Sequence, residues 1–231
     1  MGAQDITIKA VDGGEFAGYL ATPSTGKAPG IVVIQEIFGV NEVMRNLADW
    51  MAGEGFVALC PDLFWRQEPG IQITDRTDAE WARAFELLQG FDVDKGVDDI
   101  ASTIDALRDL DACDGKVGAV GFCLGGRLAF LTATRTSVDA AVGYYGVALG
   151  GHLNETVRAP LTLHVATADE FVPADEQAAV HATLDPNPRV TLHDYEGNDH
   201  AFARVGGQHY DQRAAELAHT RTLEFLRTNL G

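Results

Sequence analysis

The segment Gly121-Phe122-Cys123-Leu124-Gly125-Gly126 sets a cysteine between glycines, after an apolar run from Lys116 to Phe122 and before a helical pattern from Leu124 to Arg135. A strand that turns this sharply into a helix lifts the side chain at the turn above the sheet, and only small neighbours at 121 and 125 leave room for it. The same turn puts residue 123 at a helix N-terminus, where free N–H groups and the dipole favour a thiolate and an oxyanion. Cys123 is the candidate nucleophile. The plainer reading is a structural thiol, since free cysteine is commonly buried. Cys60, closing the run Phe56 to Leu59 beside Pro61, and Cys113, in a helix-to-strand loop, serve as controls without the elbow.

Such a nucleophile needs an acid and a histidine that arrive later in the chain, each just past a strand, in that order. Asp169 follows the run Leu161 to Thr167, and His200 follows Arg189 to Tyr195. His200 would take the thiol proton and later return one to the leaving group, while Asp169 fixes the imidazole tautomer and stabilises the imidazolium. Spacing alone leaves Glu170 open as the acid, and Asp199, beside His200, reads as solvated. Of the six other histidines, His164 and His193 fall inside predicted strands, His152 and His181 in polar surroundings, and His209 and His219 at or within the last helix. Glu36 ends the first buried strand, Ile31 to Ile34. A carboxylate there is either a satisfied structural group or one that interacts with the thiol, and the adjacent Ile37 could give a backbone N–H to the oxyanion.

The elements that must position these residues can be read from periodicity. Asp5 to Ala10 and Glu15 to Ala21 alternate around Asp12-Gly13-Gly14, an N-terminal β-hairpin. Short unbroken apolar runs at 31–34, 56–60, 116–122, 139–145, 161–167 and 189–195 suit strands covered on both faces. Helical patterns lie at 43–54, 78–89, 95–110, 124–135, 174–183 and 210–226. The alternation predicts an α/β fold with a doubly wound, mostly parallel sheet and helices on both faces. Pro61 to Asp78 has no period and suits an excursion over the carboxyl ends of the strands. No spacer or repeat divides the chain, so residues 1–231 read as one domain.

Composition bounds the partners. With 231 residues, 46% hydrophobic, the chain can bury a large core, and 17 basic against 34 acidic residues give a net charge of −17. That field repels nucleic acid and anionic lipid, and an anionic substrate would need local cations. No apolar stretch approaches the length of a membrane span and Met1 to Ala10 lacks a signal-peptide pattern, so a cytoplasmic location is expected. Three cysteines with no Cys-x-x-Cys unit suggest neither a disulfide framework nor a metal cage.

With the elbow, Glu36, Asp169 and His200 together, the sequence resembles the dienelactone hydrolase family of α/β hydrolases over nearly its whole length. The similar segments are Q-E-I-F-G-V-N at 35–41, C-P-D-L at 60–63, G-x-C-L-G-G at 121–126, V-G-Y-Y-G at 142–146, D-x-F-V-P at 169–173 and H-A-F-A-R at 200–204. The resemblance implies hydrolysis of an enol-lactone such as 4-carboxymethylenebut-2-en-4-olide to maleylacetate, in the bacterial breakdown of aromatic or chloroaromatic compounds, without a cofactor. It assigns Cys123, Asp169 and His200 to a triad, Ile37 and Leu124 to the oxyanion hole, and Glu36 to the resting thiol as its partner until substrate displaces it. Arg204 would hold the substrate carboxylate, and Phe38, Tyr144 and Tyr145 would line the pocket. The expected partner is a small lactone or ester, anionic by this reading, with the protein a monomer or weak homo-oligomer.

The chain departs from the family pattern in one helix. Where the family presents an arginine, a tyrosine and a tryptophan to substrate, this chain has Trp81, Phe85 and Leu88, and the serine after the histidine is Ala201. Arg83 is turned about 200° from the face of residue 81. Losing a cation and polar contacts weakens selection for a carboxylate. A broader carboxylesterase or thioesterase with the same triad is therefore the alternative, and a catalytically silent fold that binds a small ligand is the reading from another class.

Overall fold

In the computed structural model, which describes every residue except Met1 and Thr25, β1 (Gly2–Lys9) and β2 (Glu15–Thr22) form the N-terminal antiparallel hairpin, with Lys9 opposite Glu15. Its loop is closed by the Ala10 N–H donating to the Gly14 carbonyl at 2.8 Å, with Gly13 at φ 90°. Backbone contacts divide the chain into two compact units, Met1–Ala119 and Val120–Gly231, the division falling inside β5.

In the first unit, β2 pairs antiparallel with β4 (Val57–Pro61), and β3 (Ala28–Ile34) pairs parallel with β4. The β-branched run Ile31 to Ile34 is fully buried, as its composition requires. Three helices complete the unit: α1 (Glu42–Gly53), α2 (Asp78–Gln89) and α3 (Val93–Arg108). Each begins at a side-chain cap, Asn41, Thr77 or Asp92; at α2, Thr77 Oγ1 accepts the Glu80 N–H at 3.2 Å and donates to Glu80 Oε2 at 2.9 Å.

The segment between β4 and α2 has turns, bends and one isolated bridge, and runs past the end of β3. The Ile73 N–H donates to the Phe38 carbonyl at 3.1 Å, and Gly39 bridges Gln72. Gly39 sits at φ 75°, and a Cβ there would lie 1.9 Å from the Ile71 carbonyl oxygen, so no other residue fits this crossing. Asp99 of α3, itself buried, anchors the start of the segment by accepting from Trp65 Nε1 and from Arg66 Nε and Nη2 at 2.8, 3.1 and 2.8 Å.

In the second unit, β6 (Ala140–Tyr144), β7 (Leu161–Ala166) and β8 (Val190–Tyr195) run parallel, with α4 (Leu124–Arg135) before β6, α5 (Ala174–Leu184) between β7 and β8, and α6 (Gln212–Leu230) after them. The eight strands follow the order β1-β2-β4-β3-β5-β6-β7-β8, with β5 (Cys113–Phe122) central. The strands behave as the alternation of elements predicts; their ends shift by up to three residues. Among the described residues, no helix is long and apolar enough to cross a membrane.

Candidate active site

The second unit holds the elbow. The buried end of β5 stops at Phe122, Cys123 takes φ 57° and ψ −115°, and α4 begins at Leu124. A non-glycine residue in that region costs about 1–3 kcal/mol and persists only where its surroundings impose it. Here the imposing contacts are steric. A Cβ on Gly121 would lie 1.9 Å from the Gly125 carbonyl oxygen, and one on Gly126 would lie 2.5 Å from the Tyr144 carbonyl oxygen. The Cys123 N–H donates to that Tyr144 oxygen at 3.1 Å, pinning the turn to β6. The Leu124 N–H stands in the first turn of α4, before the helical hydrogen-bond ladder starts, where it can meet an oxyanion.

Two loops bring the other partners. Asp169 follows β7, and its Oδ1 accepts the Phe171 N–H at 2.9 Å, which leaves Oδ2 for His200 Nδ1 at 2.8 Å. His200 in turn hydrogen-bonds Cys123. Asp169 and His200 are both buried, whereas Glu170 is exposed; of the two adjacent acids, Asp169 is the one bonded to the ring. Burial opposes a charged imidazole, but the charge of Cys123 and the hydrogen bonds to Asp169 and Cys123 outweigh it and raise His200 to about 10. The ring is also clamped edge-on between aromatics, 5.2 Å from Tyr145 and 4.9 Å from Phe171, centroid to centroid.

The remaining expected residues distribute unevenly. Tyr145, at φ 37°, turns its ring to His200 and Phe202. Tyr144 departs from the expectation that it lines a pocket: it is 0% exposed, and its hydroxyl bonds Thr222 Oγ1 at 2.6 Å and His219 Nδ1 at 3.1 Å on α6. The strand ends at Tyr144, and the left-handed turn at Tyr145 sends the second ring of the pair another way. Arg204 is buried after a tight turn in which its N–H donates to the Ala201 carbonyl at 2.9 Å. Asp199, expected in solvent, instead accepts backbone N–H groups from both loops. Phe171 and Asp199 escaped the sequence reading: the first carries no polar chemistry, and the second acts on main-chain groups that no residue pattern announces.

In the first unit, Glu36, Ile37 and Phe38 are buried just past β3, and the Gln35 side chain spans from the Glu36 carbonyl to the Leu63 N–H. Trp81 packs against Phe38 edge-on at 5.1 Å and stacks on Phe85 at 5.6 Å, with its Nε1 donating to the Asp75 carbonyl. Arg83 is tied to Glu68 and Glu86. Both control cysteines are buried, and burial pushes the Cys60 thiol far up, as an inert packing thiol requires. Among the described residues, no group of three or more His, Cys, Asp or Glu side chains forms a metal cage.

Comparison with known proteins bears on this geometry. The family model described as the dienelactone hydrolase family matches residues 16–230. A protein of Azospirillum brasilense is 50% identical over 98% of this chain and 99% of its own length. A carboxymethylenebutenolidase of Pseudomonas putida is 41% identical over 96% of this chain and 95% of its own. A crystal structure from Klebsiella pneumoniae subsp. pneumoniae superposes with a TM-score of 0.83 at 26% identity, covering 98% of this chain and 99% of that one.

Proposed function

Because the chain belongs to the dienelactone hydrolase family and is a hydrolase of ester or lactone bonds, we propose that it opens an enol-lactone by a Cys123-His200-Asp169 triad. The observation that carries this reading is the single imidazole hydrogen-bonded on one side to Asp169 and on the other to Cys123. Asp169 occupies Nδ1, which leaves Nε2 for the thiol proton. The sulfur attacks the lactone carbonyl carbon, and the negative charge on oxygen is met by the Leu124 N–H at the head of α4. Collapse breaks the ring C–O bond, the His200 imidazolium returns its proton to the leaving enolate, which becomes the ketone, and the acyl group remains as a thioester. His200 then takes a proton from water, which hydrolyses the thioester and restores the thiol. One lactone and one water give one keto acid.

The family resemblance adds Glu36 as the resting partner of the thiol, Ile37 as second oxyanion donor and Arg204 as carboxylate anchor. A second reading, hydrolysis of neutral aryl esters, is favoured by one observation: the stacked pair Trp81 and Phe85, packed against Phe38, stands where the family pattern has an arginine and a tyrosine.

The deciding experiment assays the purified protein against cis- and trans-dienelactone, neutral aryl esters and thioesters. We expect kcat/KM to be highest for a dienelactone, with Cys123→Ala inactive and His200→Ala lowered roughly 10⁴-fold or more. Higher kcat/KM on a neutral ester would transfer the proposal to the second reading. Activity retained in Cys123→Ala would end the triad assignment.

A further inference from the structure

The loops that present Asp169 and His200 are joined by a third carboxylate that touches neither the ring of His200 nor the sulfur. Asp199 Oδ1 accepts the backbone N–H of His200 at 2.7 Å and that of Glu170 at 3.2 Å. One oxygen atom thus ties the residue bearing the base to the residue next to the acid. The other oxygen lies 3.5 Å from His209 Nδ1, which holds the carboxylate from its far side. Main-chain bonds flank this junction: the Ala168 N–H donates to the Asn198 carbonyl at 2.9 Å, and the Gly197 N–H to Thr167 Oγ1 at 2.9 Å.

The junction is needed because the backbone there is not held by its own preferences. Ala201, directly after His200, sits at φ 62°, a region that an alanine enters only under constraint. Charge-assisted bonds to main-chain N–H groups are among the stronger neutral-to-ion contacts available to supply that constraint. The Asp169-His200 bond is in turn sensitive to loop separation, since displacement of about 1 Å at a catalytic group can cost about 100-fold in rate.

We propose that Asp199 is a positioning residue: by holding the N–H groups of Glu170 and His200 on one carboxylate oxygen, it sets the separation of Asp169 from His200 and hence the direction of Nε2 at Cys123. This rests on the triad reading given above. Asp199→Ala removes the acceptor, and Asp199→Asn keeps an oxygen in the same place without the charge.

The test measures kcat and KM on a hydrolysed ester, together with the pH profile of Cys123 alkylation by iodoacetamide, followed on the Cys123 peptide, for the natural protein, Asp199→Ala, Asp199→Asn and His200→Gln. Asp199→Ala should lower kcat about 10- to 100-fold with KM within about twofold, and its alkylation profile should move toward that of His200→Gln. Asp199→Asn should recover most of both. If His200→Gln alkylates like the natural protein, the triad reading itself fails. If His200→Gln differs while Asp199→Ala matches the natural protein in kcat and profile, the Asp199 proposal is overturned. Should Asp199→Ala not fold, Asp199→Ser, whose hydroxyl is too short to reach both N–H groups, takes its place under the same expectation. Failure of both to fold, with Asp199→Asn folded, overturns the proposal in favour of a purely structural bond.

Discussion

His200 Nδ1 and Asp169 Oδ2 lie 2.8 Å apart, with the two side chains 4% and 1% exposed, so the contact is a buried hydrogen-bonded pair rather than a surface ion pair. Breaking one side of such a pair costs about 3–5 kcal/mol, because the partner is left uncompensated. Burial by itself would have made this a neutral histidine. That the ring is instead raised to about 10 traces first, against that burial, to the charge of Cys123 and then to the bonds with Asp169 and Cys123.

The pair has a consequence for pH. A ring that binds its proton more tightly in the folded than in the unfolded chain stabilises the fold fully below the ordinary histidine value near 6.5, and that contribution is lost as pH rises through about 10. The melting temperature should therefore fall between pH 7 and 10, and the fall should flatten in His200→Gln. Histidine NMR titration should find His200 still protonated where His219, lowered by burial to about 4, is neutral. A His200 titration near 6.5 in the natural protein would contradict the electrostatic account. Cys123→Ala, which removes the largest raising cause, should move the titration down.

The elbow gives a steric test. Gly121 cannot become alanine without driving its Cβ to 1.9 Å from a main-chain oxygen of α4, and backbone cannot swing away as a flexible side chain would. We expect Gly121→Ala to cost about 3 kcal/mol or more in chemical denaturation and to lose activity. By contrast Gly55→Ala, at φ 97° but with nothing near its Cβ, should cost only its backbone strain, about 1–2 kcal/mol, with kcat intact. Equal effects from the two would deny the elbow its special packing.

These cases also mark what can be read from residues alone. The elbow was legible because a nucleophile turn restricts residue type at fixed offsets, and the order of Asp169 and His200 was legible because each must follow a strand. His164 and His193 read correctly as strand residues, the first wholly buried. What escaped is what residue type does not encode. Asp199 works on main-chain N–H groups, and Tyr144 and Tyr145 are identical letters that part because the strand ends between them. Element ends slipped for similar reasons. The strand β5 starts at Cys113 although Asp114-Gly115 looks like a turn, with Gly115 at φ 98° inside the ladder. The last helix starts later than its pattern, at Gln212, because Asp211 caps it by accepting the Ala214 N–H at 2.8 Å. It then runs on to Leu230, since Arg227-Thr228-Asn229 weakens the apolar period without breaking the helix.

A buried polar chain beneath the site gives a stability test free of the chemistry. Thr222 Oγ1 bonds the Tyr144 hydroxyl at 2.6 Å and His164 Nε2 at 2.9 Å, while His164 Nδ1 bonds the Tyr195 hydroxyl at 2.8 Å. Burial holds His164 well below the ordinary histidine range, so this ring stays neutral and needs an acceptor and a donor, not a counter-charge. Thr222→Val keeps the shape and strips the hydroxyl, stranding His164 Nε2 at about 1–3 kcal/mol and leaving the Tyr144 hydroxyl with His219 Nδ1. A loss of about 1–3 kcal/mol with kcat of the folded fraction little changed is the expected result. Full stability in Thr222→Val would mean that the chain is not a load on the fold.

Arg127 provides the opposite case. It is the one residue from Leu124 to Thr134 of α4 that is not buried, four positions beyond Cys123, and its Nε is buried without a hydrogen-bond partner. Burial pushes its guanidinium down, and the charges of Cys123 and Glu176 only partly offset this. An unsatisfied buried donor costs about 1–3 kcal/mol, whereas a methionine of similar length fills the space without one. Arg127→Met should therefore raise the melting temperature by about 2–4 °C, the equivalent of about 1 kcal/mol in a chain of this size. If the variant melts lower instead, the attraction of the guanidinium for the Cys123 charge outweighs the stranded Nε, and the same variant should then show slower Cys123 alkylation near neutral pH.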